Sequence, residues 1–125
     1  MSANPRAARS EGTEPVVLQV ELAANRAELN LAVPENLSYF RGHFPNFATL
    51  PGVVQIEWVM GYAQRYLNRP DAAAGTLRIK FRRPIRPGDR LLLTLTYHSV
   101  RNQIEFSYAN ADGIFSAGRI GLEHA

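Results

Sequence analysis

The chain has 125 residues, of which 46% are hydrophobic and 10% aromatic, and this is the composition of one globular domain. Its net charge is +3, carried almost entirely by arginine, and it contains no cysteine, which excludes disulfides and thiol chemistry. We find no apolar run long enough to span a bilayer, no signal peptide and no nucleic-acid-binding motif. We therefore expect a cytoplasmic protein that binds neither membranes nor nucleic acid.

The N-terminal part of the chain predicts a tail followed by a β-hairpin. Residues 1–15 are polar and aperiodic, which is typical of a flexible tail, and residues 16–125 form the single predicted domain. Two alternating runs then predict half-buried strands joined by a turn at residues 24–26. Their apolar positions are Val16, Leu18, Val20 and Leu22 in the first strand and Ala27, Leu29, Leu31 and Val33 in the second.

One helix is predicted after an irregular loop. Proline favours the first turn of a helix, so Pro51 and Gly52 predict its start, and Asn68 to Pro70 predict its end after Leu67. Apolar residues occur almost all the way round this segment, which is typical of a buried helix. We therefore expect Glu57 to lie in the core, where burial is costly for a carboxylate and favours its protonated form.

The remainder of the chain predicts strands only. Alternation marks Leu77 to Phe81, Leu91 to Tyr97, Ile104 to Tyr108 and a last strand from Ile114 to Leu122, with a turn at Asp112-Gly113. Two strands, one buried helix and four further strands predict an α+β fold in which the helix packs against an antiparallel sheet.

His43 and Glu57 are the candidate acid–base pair. His43 lies in a loop rich in glycine and proline, where an imidazole could act as a base near neutral pH. Helical spacing places Glu57 on one face with Val53, Gly61 and Gln64, so the carboxyl lies beside a position without side-chain volume. That arrangement is typical of a substrate channel, although a carboxylate hydrogen-bonded within the core is the structural alternative.

Gly52 is the candidate oxyanion site. The first N–H groups of a helix have no partner within the helix and could polarise a thioester carbonyl placed before it. A glycine that only relieves crowding after Pro51 is the structural alternative.

Two separated motifs resemble one known family. The first consists of Phe40-x-Gly42-His43-Phe44-Pro45, Leu50-Pro51-Gly52-Val53 and Gln55-Ile56-Glu57, and the second is Lys80-Phe81-Arg82-Arg83-Pro84-Ile85-x-Pro87-Gly88-Asp89. Together they resemble the hotdog-fold 3-hydroxyacyl-acyl-carrier-protein dehydratases over residues 16–122, and within that family the small dehydratases of aryl-polyene clusters. The chain departs from the family at Ala48, where many members have proline, and at Gly61, where they commonly have glutamine.

The resemblance implies a fold, an activity and a set of roles. The fold would be an antiparallel sheet wrapped round one central helix. The activity would be dehydration of 3-hydroxyacyl thioesters, carried on acyl-carrier protein, to trans-2-enoyl thioesters, with no cofactor and no metal. His43 of one subunit would work with Glu57 of the other in a homodimer or an oligomer of dimers. The remaining oxyanion and substrate-binding positions would be Gly52, Phe44, Val53, Trp58 and Gly61.

Two other functions remain open at the level of sequence. A hotdog thioesterase would use Glu57 to activate water, and a non-catalytic acyl-binding subunit would need neither acid nor base. Arg82 and Arg83 are candidates for docking the carrier protein, because a cluster of positive charge can attract an acidic partner. A solvated strand edge is the alternative interpretation of these arginines.

Overall fold

The computed structural model describes residues 12–41, 48–69 and 72–124 of the chain. One α-helix, one 3₁₀ turn and six strands form in this part of the protein. In chain order they are β1 (Val16–Ala23), β2 (Arg26–Ala32), a 3₁₀ turn (Ser38–Phe40), α1 (Gly52–Tyr66), β3 (Ala72–Phe81), β4 (Arg90–His98), β5 (Gln103–Asn110) and β6 (Gly113–His124). Within the same residues no helix has the length and apolar character needed to cross a membrane.

The six strands form one antiparallel sheet in the order β1-β2-β4-β5-β6-β3. Because β3 follows the helix in sequence but pairs with the last strand, β1 and β3 are the two edges. The predicted α+β arrangement, a sheet with one helix against it, is confirmed.

One face of the sheet and one side of α1 enclose the core. Successive side chains of a strand point to opposite faces, so residues of one parity share the core face. The predicted inward residues of β2, β4 and β5 are buried as expected: Ala27, Leu29, Leu31, Leu91, Leu93, Leu95, Tyr97, Ile104, Phe106 and Tyr108. The helix adds Val54, Trp58, Val59, Tyr62 and Ala63 to this cluster.

The first strand differs from its prediction. A bulge between Val17 and Gln19 interrupts the pairing of β1 with β2, and an extra residue in one strand changes which side chains face inward. Val17 and Val20 therefore pack against the core, and Val16 and Leu18 are exposed. Leu22 lies beyond the bulge and pairs with the buried Ala27, but it is exposed near the end of this edge strand.

The helix begins where it was predicted, but it is not buried on all sides. Pro51 precedes its first turn, and Asn68, with a left-handed φ of 58°, follows its last turn. Val53, Glu57, Gly61 and Gln64 share a face, as the spacing predicted, and all four are exposed in this single chain. The prediction that Glu57 lies in the core is therefore wrong for the chain taken alone.

The packed domain also begins earlier than predicted. Pro15 is buried, the Gly12 carbonyl accepts a hydrogen bond from the Ser38 N–H at 3.0 Å, and the Thr13 carbonyl accepts one from Trp58 Nε1 at 2.9 Å. Residues 12–15, which the sequence assigned to the flexible tail, thus cross α1 and belong to the domain.

Candidate functional site

A small cavity lies beside Glu57 on the exposed side of α1. It has a volume of about 190 Å³ and brings together three predicted site residues that are one helical turn apart or adjacent, Glu57, Trp58 and Gly61. The rest of its lining comes from α1, from the segment before β1 and from the 3₁₀ turn, namely Tyr62, Arg65, Thr13, Glu14 and Tyr39. Thr13, Glu14 and Tyr39 could not be assigned from the sequence, because contacts between segments distant in sequence leave no local signal. Tyr62 and Arg65 lie on α1, four positions after Trp58 and Gly61, where helical spacing does give a local signal.

Gly61 keeps one side of this cavity open. A Cβ atom built at Gly61 would meet no atom within 4 Å outside the neighbouring helix backbone. A larger side chain here would extend into the space beside Glu57. The predicted juxtaposition of an acid and missing side-chain volume is therefore present, although it opens to solvent and not into a closed core.

Trp58 and Tyr62 form the apolar side of the cavity. Trp58 is buried, and its hydrogen bond to Thr13 fixes the ring against the N-terminal segment. Burial raises the pKa of Tyr62 to about 12, and the nearby Glu14 carboxylate adds to that shift. The Tyr62 hydroxyl is therefore a neutral hydrogen-bonding group at physiological pH.

The start of α1 presents backbone donors. Pro51 supplies no side-chain cap, and its carbonyl accepts from the N–H groups of Val54 and Gln55 at 3.1 and 3.2 Å. Among the described residues, none accepts a hydrogen bond from the N–H of Gly52 or Val53. These two groups carry the partial positive charge of a helix N-terminus and are able to bind a carbonyl oxygen or an anion.

A long-range contact accounts for the glycine at this position. A Cβ atom at Gly52 would lie 2.7 Å from the ring of Phe81, which is closer than a real side chain could approach. Phe81, at the end of β3, is itself 52% exposed. Phe81 therefore crowds Gly52, although its half-exposed ring is able to move aside, and this crowding coexists with N–H groups that have no acceptor among the described residues.

Two predicted site residues cannot be placed. His43 and Phe44 lie outside the described residues, which resume at Ala48. Leu50, in the first motif, contacts the second motif, because its N–H donates to the Ile85 carbonyl at 2.8 Å. The surroundings of Glu57, the predicted acid, are thus described, whereas the place of His43, the predicted base, stays a prediction.

Arg82 and Arg83 have different surroundings. The Arg83 guanidinium donates to the Asp112 carbonyl at 2.8 Å and lies 5.7 Å from the centre of the Phe115 ring, so it fixes the turn between β5 and β6. The Arg82 side chain is exposed and has no hydrogen-bonding partner among the described residues. The two predicted docking residues are therefore not equivalent.

His98, whose side chain is described, supports the sheet. His98 Nε2 lies 2.8 Å from Glu105 Oε1, and this pair joins β4 to β5 at the surface. Within residues 12–41, 48–69 and 72–124, no group of three or more histidine or acidic side chains is arranged to hold a metal ion.

Comparison with known proteins gives a consistent set of relatives. The ApeI-like family, described as ApeI dehydratase, matches residues 19–119. A chain of the dehydratase heterocomplex ApeI:P from Xenorhabdus doucetiae is 37% identical, with a TM-score of 0.80 over 87% of this chain and 97% of that one. An uncharacterized protein from Erwinia carotovora subsp. atroseptica is 36% identical, with a TM-score of 0.78 over 89% and 97% of the two chains.

Curated relatives match a shorter stretch. The 3-hydroxyacyl-[acyl-carrier-protein] dehydratase FabZ of Desulfotalea psychrophila is 34% identical over 83 residues, which are 59% of this chain and 55% of that protein. The chain thus spans little more than half the length of the curated relative. The family match, in contrast, covers most of the chain, and the two solved structures superpose over nearly their whole length. This chain has the hotdog fold and belongs to the ApeI-like dehydratase family.

Proposed function

We propose that this protein dehydrates 3-hydroxyacyl thioesters, carried on acyl-carrier protein, to trans-2-enoyl thioesters. The observation that carries the proposal is the placement of Glu57 over an open cavity, on the same helix whose first turn offers the N–H groups of Gly52 and Val53, from which no described residue accepts a hydrogen bond. Elimination of water from a thioester requires an acid, an oxyanion site and a base, and α1 carries the first two on one rigid element. The membership of a dehydratase family supports this reaction.

In the proposed reaction each bond change has a residue assigned to it. His43 removes the proton α to the thioester carbonyl, and the negative charge that develops on the carbonyl oxygen is held by the N–H groups of Gly52 and Val53. Glu57 gives its proton to the 3-hydroxyl group, the carbon–oxygen bond breaks, and water leaves as the double bond forms. The proton taken by His43 returns to Glu57 through solvent, so the protein is unchanged after each turnover.

We further propose that the active form is a dimer in which a second copy covers the site. β3 is an edge strand with unpaired backbone groups, and it exposes Leu77 and Phe81. The Phe81 ring lies close to Gly52, and the next residue of α1, Val53, is 63% exposed. An edge with apolar side chains favours pairing with another chain. Such a partner would remove water from Glu57, which is exposed in the single chain, and would bring His43 of the other subunit to it.

Charge indicates where a carrier protein would dock. Arg82 continues the alternation of Arg78 and Lys80 on β3, and all three side chains are exposed. None of them pairs with a carboxylate of the described residues. We assign docking of the acidic partner to Arg82 in preference to Arg83, because the Arg83 guanidinium is already engaged with the Asp112 carbonyl.

The test is to incubate the protein with 3-hydroxyacyl-acyl-carrier protein and follow the intact mass of the carrier. Loss of one water from the acyl group is the expected result, with alkyl and aryl substrates compared at equal concentration. Release of the free acid would indicate a thioesterase. An unchanged mass, with the acyl-carrier protein still bound in a pull-down experiment, would indicate a non-catalytic subunit.

A further inference from the structure

A buried amide connects the start of α1 to β6, on the core face of the sheet. Gln55 is only 3% exposed, and its Nε2 donates to the Leu50 carbonyl at 3.3 Å. Its Oε1 accepts a hydrogen bond from Ser116 Oγ at 2.7 Å, and Ser116, on β6, is completely buried. We call these three residues, Leu50, Gln55 and Ser116, the amide bridge.

The amide bridge acts on the segment that enters the helix. Leu50 comes directly before Pro51 and Gly52, and its own N–H is held by the Ile85 carbonyl at 2.8 Å. Both polar groups of the Leu50 backbone are therefore held. Its N–H is held by the loop after β3, and its carbonyl is held by the helix through the amide bridge. A second buried bond, from the Tyr108 hydroxyl to the Gln55 carbonyl at 2.7 Å, anchors the same helical turn to β5.

This arrangement is not needed for packing. Apart from the tyrosines and Trp58, Gln55 and Ser116 are the only polar residues among the buried residues described, and the same volume could be filled by apolar side chains. Hydrogen bonds in a dry interior are directional and rigid, whereas apolar contacts allow small shifts. A polar bridge at the first turn of α1 therefore fixes the direction of the helix start more closely than an apolar contact would.

We propose that Gln55 and Ser116 are positioning residues, which hold the N–H groups of Gly52 and Val53 where the thioester oxygen will lie. The proposal rests on the proposed function, because it assigns a purpose to the same helix start. Neither residue touches the substrate; both act through Leu50 and the first turn of α1. Since a misplacement of about 1 Å can cost on the order of 10²-fold in rate, loss of the bridge should lower kcat by about ten- to a hundredfold.

Two variants separate positioning from stability. Ser116→Ala leaves Gln55 Oε1 buried without a partner, so both Tm and kcat should fall. The double variant Gln55→Met/Ser116→Ala removes both polar side chains and keeps similar volume, but the Leu50 carbonyl then lacks its donor, so Tm should recover only part of the loss. If the bridge positions the helix start, kcat of the double variant stays low with KM nearly unchanged. Recovery of kcat together with Tm would overturn the proposal.

A matched control lies on β4, where the Tyr97 ring is 3.7 Å from the guanidinium of Arg69, just after the other end of α1. The Tyr97 hydroxyl donates to Asn102 Oδ1 at 2.7 Å in a half-buried site distant in sequence from the helix start. Tyr97→Phe also removes a buried hydroxyl, so it should lower Tm without changing kcat. A kcat loss in this control equal to that of Ser116→Ala would also overturn the proposal, because general loosening would then explain both.

An activity-independent measurement separates this proposal from the proposed function. The amide resonances of Gly52 and Val53 are recorded by NMR in the wild type and in the double variant. Displaced resonances in a double variant that stays folded support the bridge even if the wild type does not dehydrate the substrates offered, an outcome that would refute only the proposed function. Unmoved resonances at both positions would refute the positioning role, whatever the activity.

Discussion

Replacing Gly61 by alanine should stabilise the protein through the helix alone. Gly61 lies inside α1 on its exposed face, and an added Cβ would meet no atom within 4 Å. The methyl group therefore neither clashes nor gains a packing partner, and only helix propensity contributes. Glycine is less favourable than alanine in a helix interior by about 0.8–1.0 kcal/mol, so the free energy of unfolding should rise by about that amount.

Thermal unfolding followed by circular dichroism measures this change. For a chain of this size, 1 kcal/mol corresponds to a shift in Tm of roughly 4 °C. A lower Tm for Gly61→Ala would refute the reasoning, because it would show that another surface, such as a second subunit, packs directly on Gly61.

The variant Gly61→Gln tests what the cavity is for. A glutamine keeps most of the helix stabilisation, and its side chain extends into the space of about 190 Å³ beside Glu57. If this space receives the acyl group, kcat/KM should fall for long or aryl substrates and change little for short ones. Equal kcat/KM values for the wild type and Gly61→Gln on every substrate would remove the cavity from the substrate path.

Three further predictions concern the base, the docking surface and alkaline stability. His43→Ala should lower kcat by about 10² to 10⁴-fold with little change in Tm, and near-normal turnover would show that His43 is structural. Arg82→Glu should raise KM for carrier-bound substrate but not for a small thioester, whereas Arg83→Glu should chiefly lower Tm; the reverse pattern would contradict the assignment. Burial holds the pKa of Tyr108 well above its usual value, so the unfolded chain loses that proton first. The contribution of Tyr108 to the free energy of unfolding should therefore be fully present below about pH 10 and decrease as the pH rises further. Urea unfolding at increasing pH should show a shallower decrease for Tyr108→Phe than for the wild type, and an equal decrease would contradict this role.

The sheet and the helix bounds could be predicted because their signals are local. The alternation of apolar and polar residues identified the core faces of β2, β4 and β5 correctly, because successive side chains of a strand point to opposite faces of the sheet. Val16 and Leu18 were wrongly assigned to the core face of β1, because the bulge after Val17 is set by pairing with β2, and an alternating sequence does not reveal it.

The environment of Glu57 could not be read from α1 alone. An apolar residue on a helix face indicates that this face is buried, but not whether the same chain or another chain buries it. Val53 is apolar and yet 63% exposed, on the same face as Glu57. The sequence pattern is that of a buried helix, and the single chain buries only one side of it.

Contacts distant in sequence were also beyond prediction. Ser116 donates a hydrogen bond to Gln55, which is 61 positions away in the sequence. The Phe81 ring, at the end of the edge strand β3, lies close to Gly52. Gln55 had a local signal, as an amide between apolar residues at the first turn of a helix, but its partner depends on the strand order that places β6 near α1. The cavity lining from Thr13 and Tyr39 depends in the same way on tertiary structure.

Glu57→Gln isolates the acid step, because the amide keeps the size of the side chain and its capacity for hydrogen bonds but cannot give up a proton in the same way. The side chain is exposed in the single chain, so the free energy of unfolding should change by less than about 0.5 kcal/mol. Dehydration should fall by orders of magnitude. Exchange of the α-proton with deuterated solvent could then persist through His43 alone, and its measurement would separate the two steps.

The most direct test of the account mixes two inactive variants. His43→Ala and Glu57→Gln are purified separately, combined in equal amounts under conditions that exchange subunits, and assayed for loss of water from 3-hydroxyacyl-acyl-carrier protein. If each site takes His43 from one subunit and Glu57 from the other, mixed dimers contain one intact site, and about a quarter of wild-type activity should return. An active Glu57→Gln protein before mixing, or a mixture that stays inactive although mixed dimers have formed, would contradict the account.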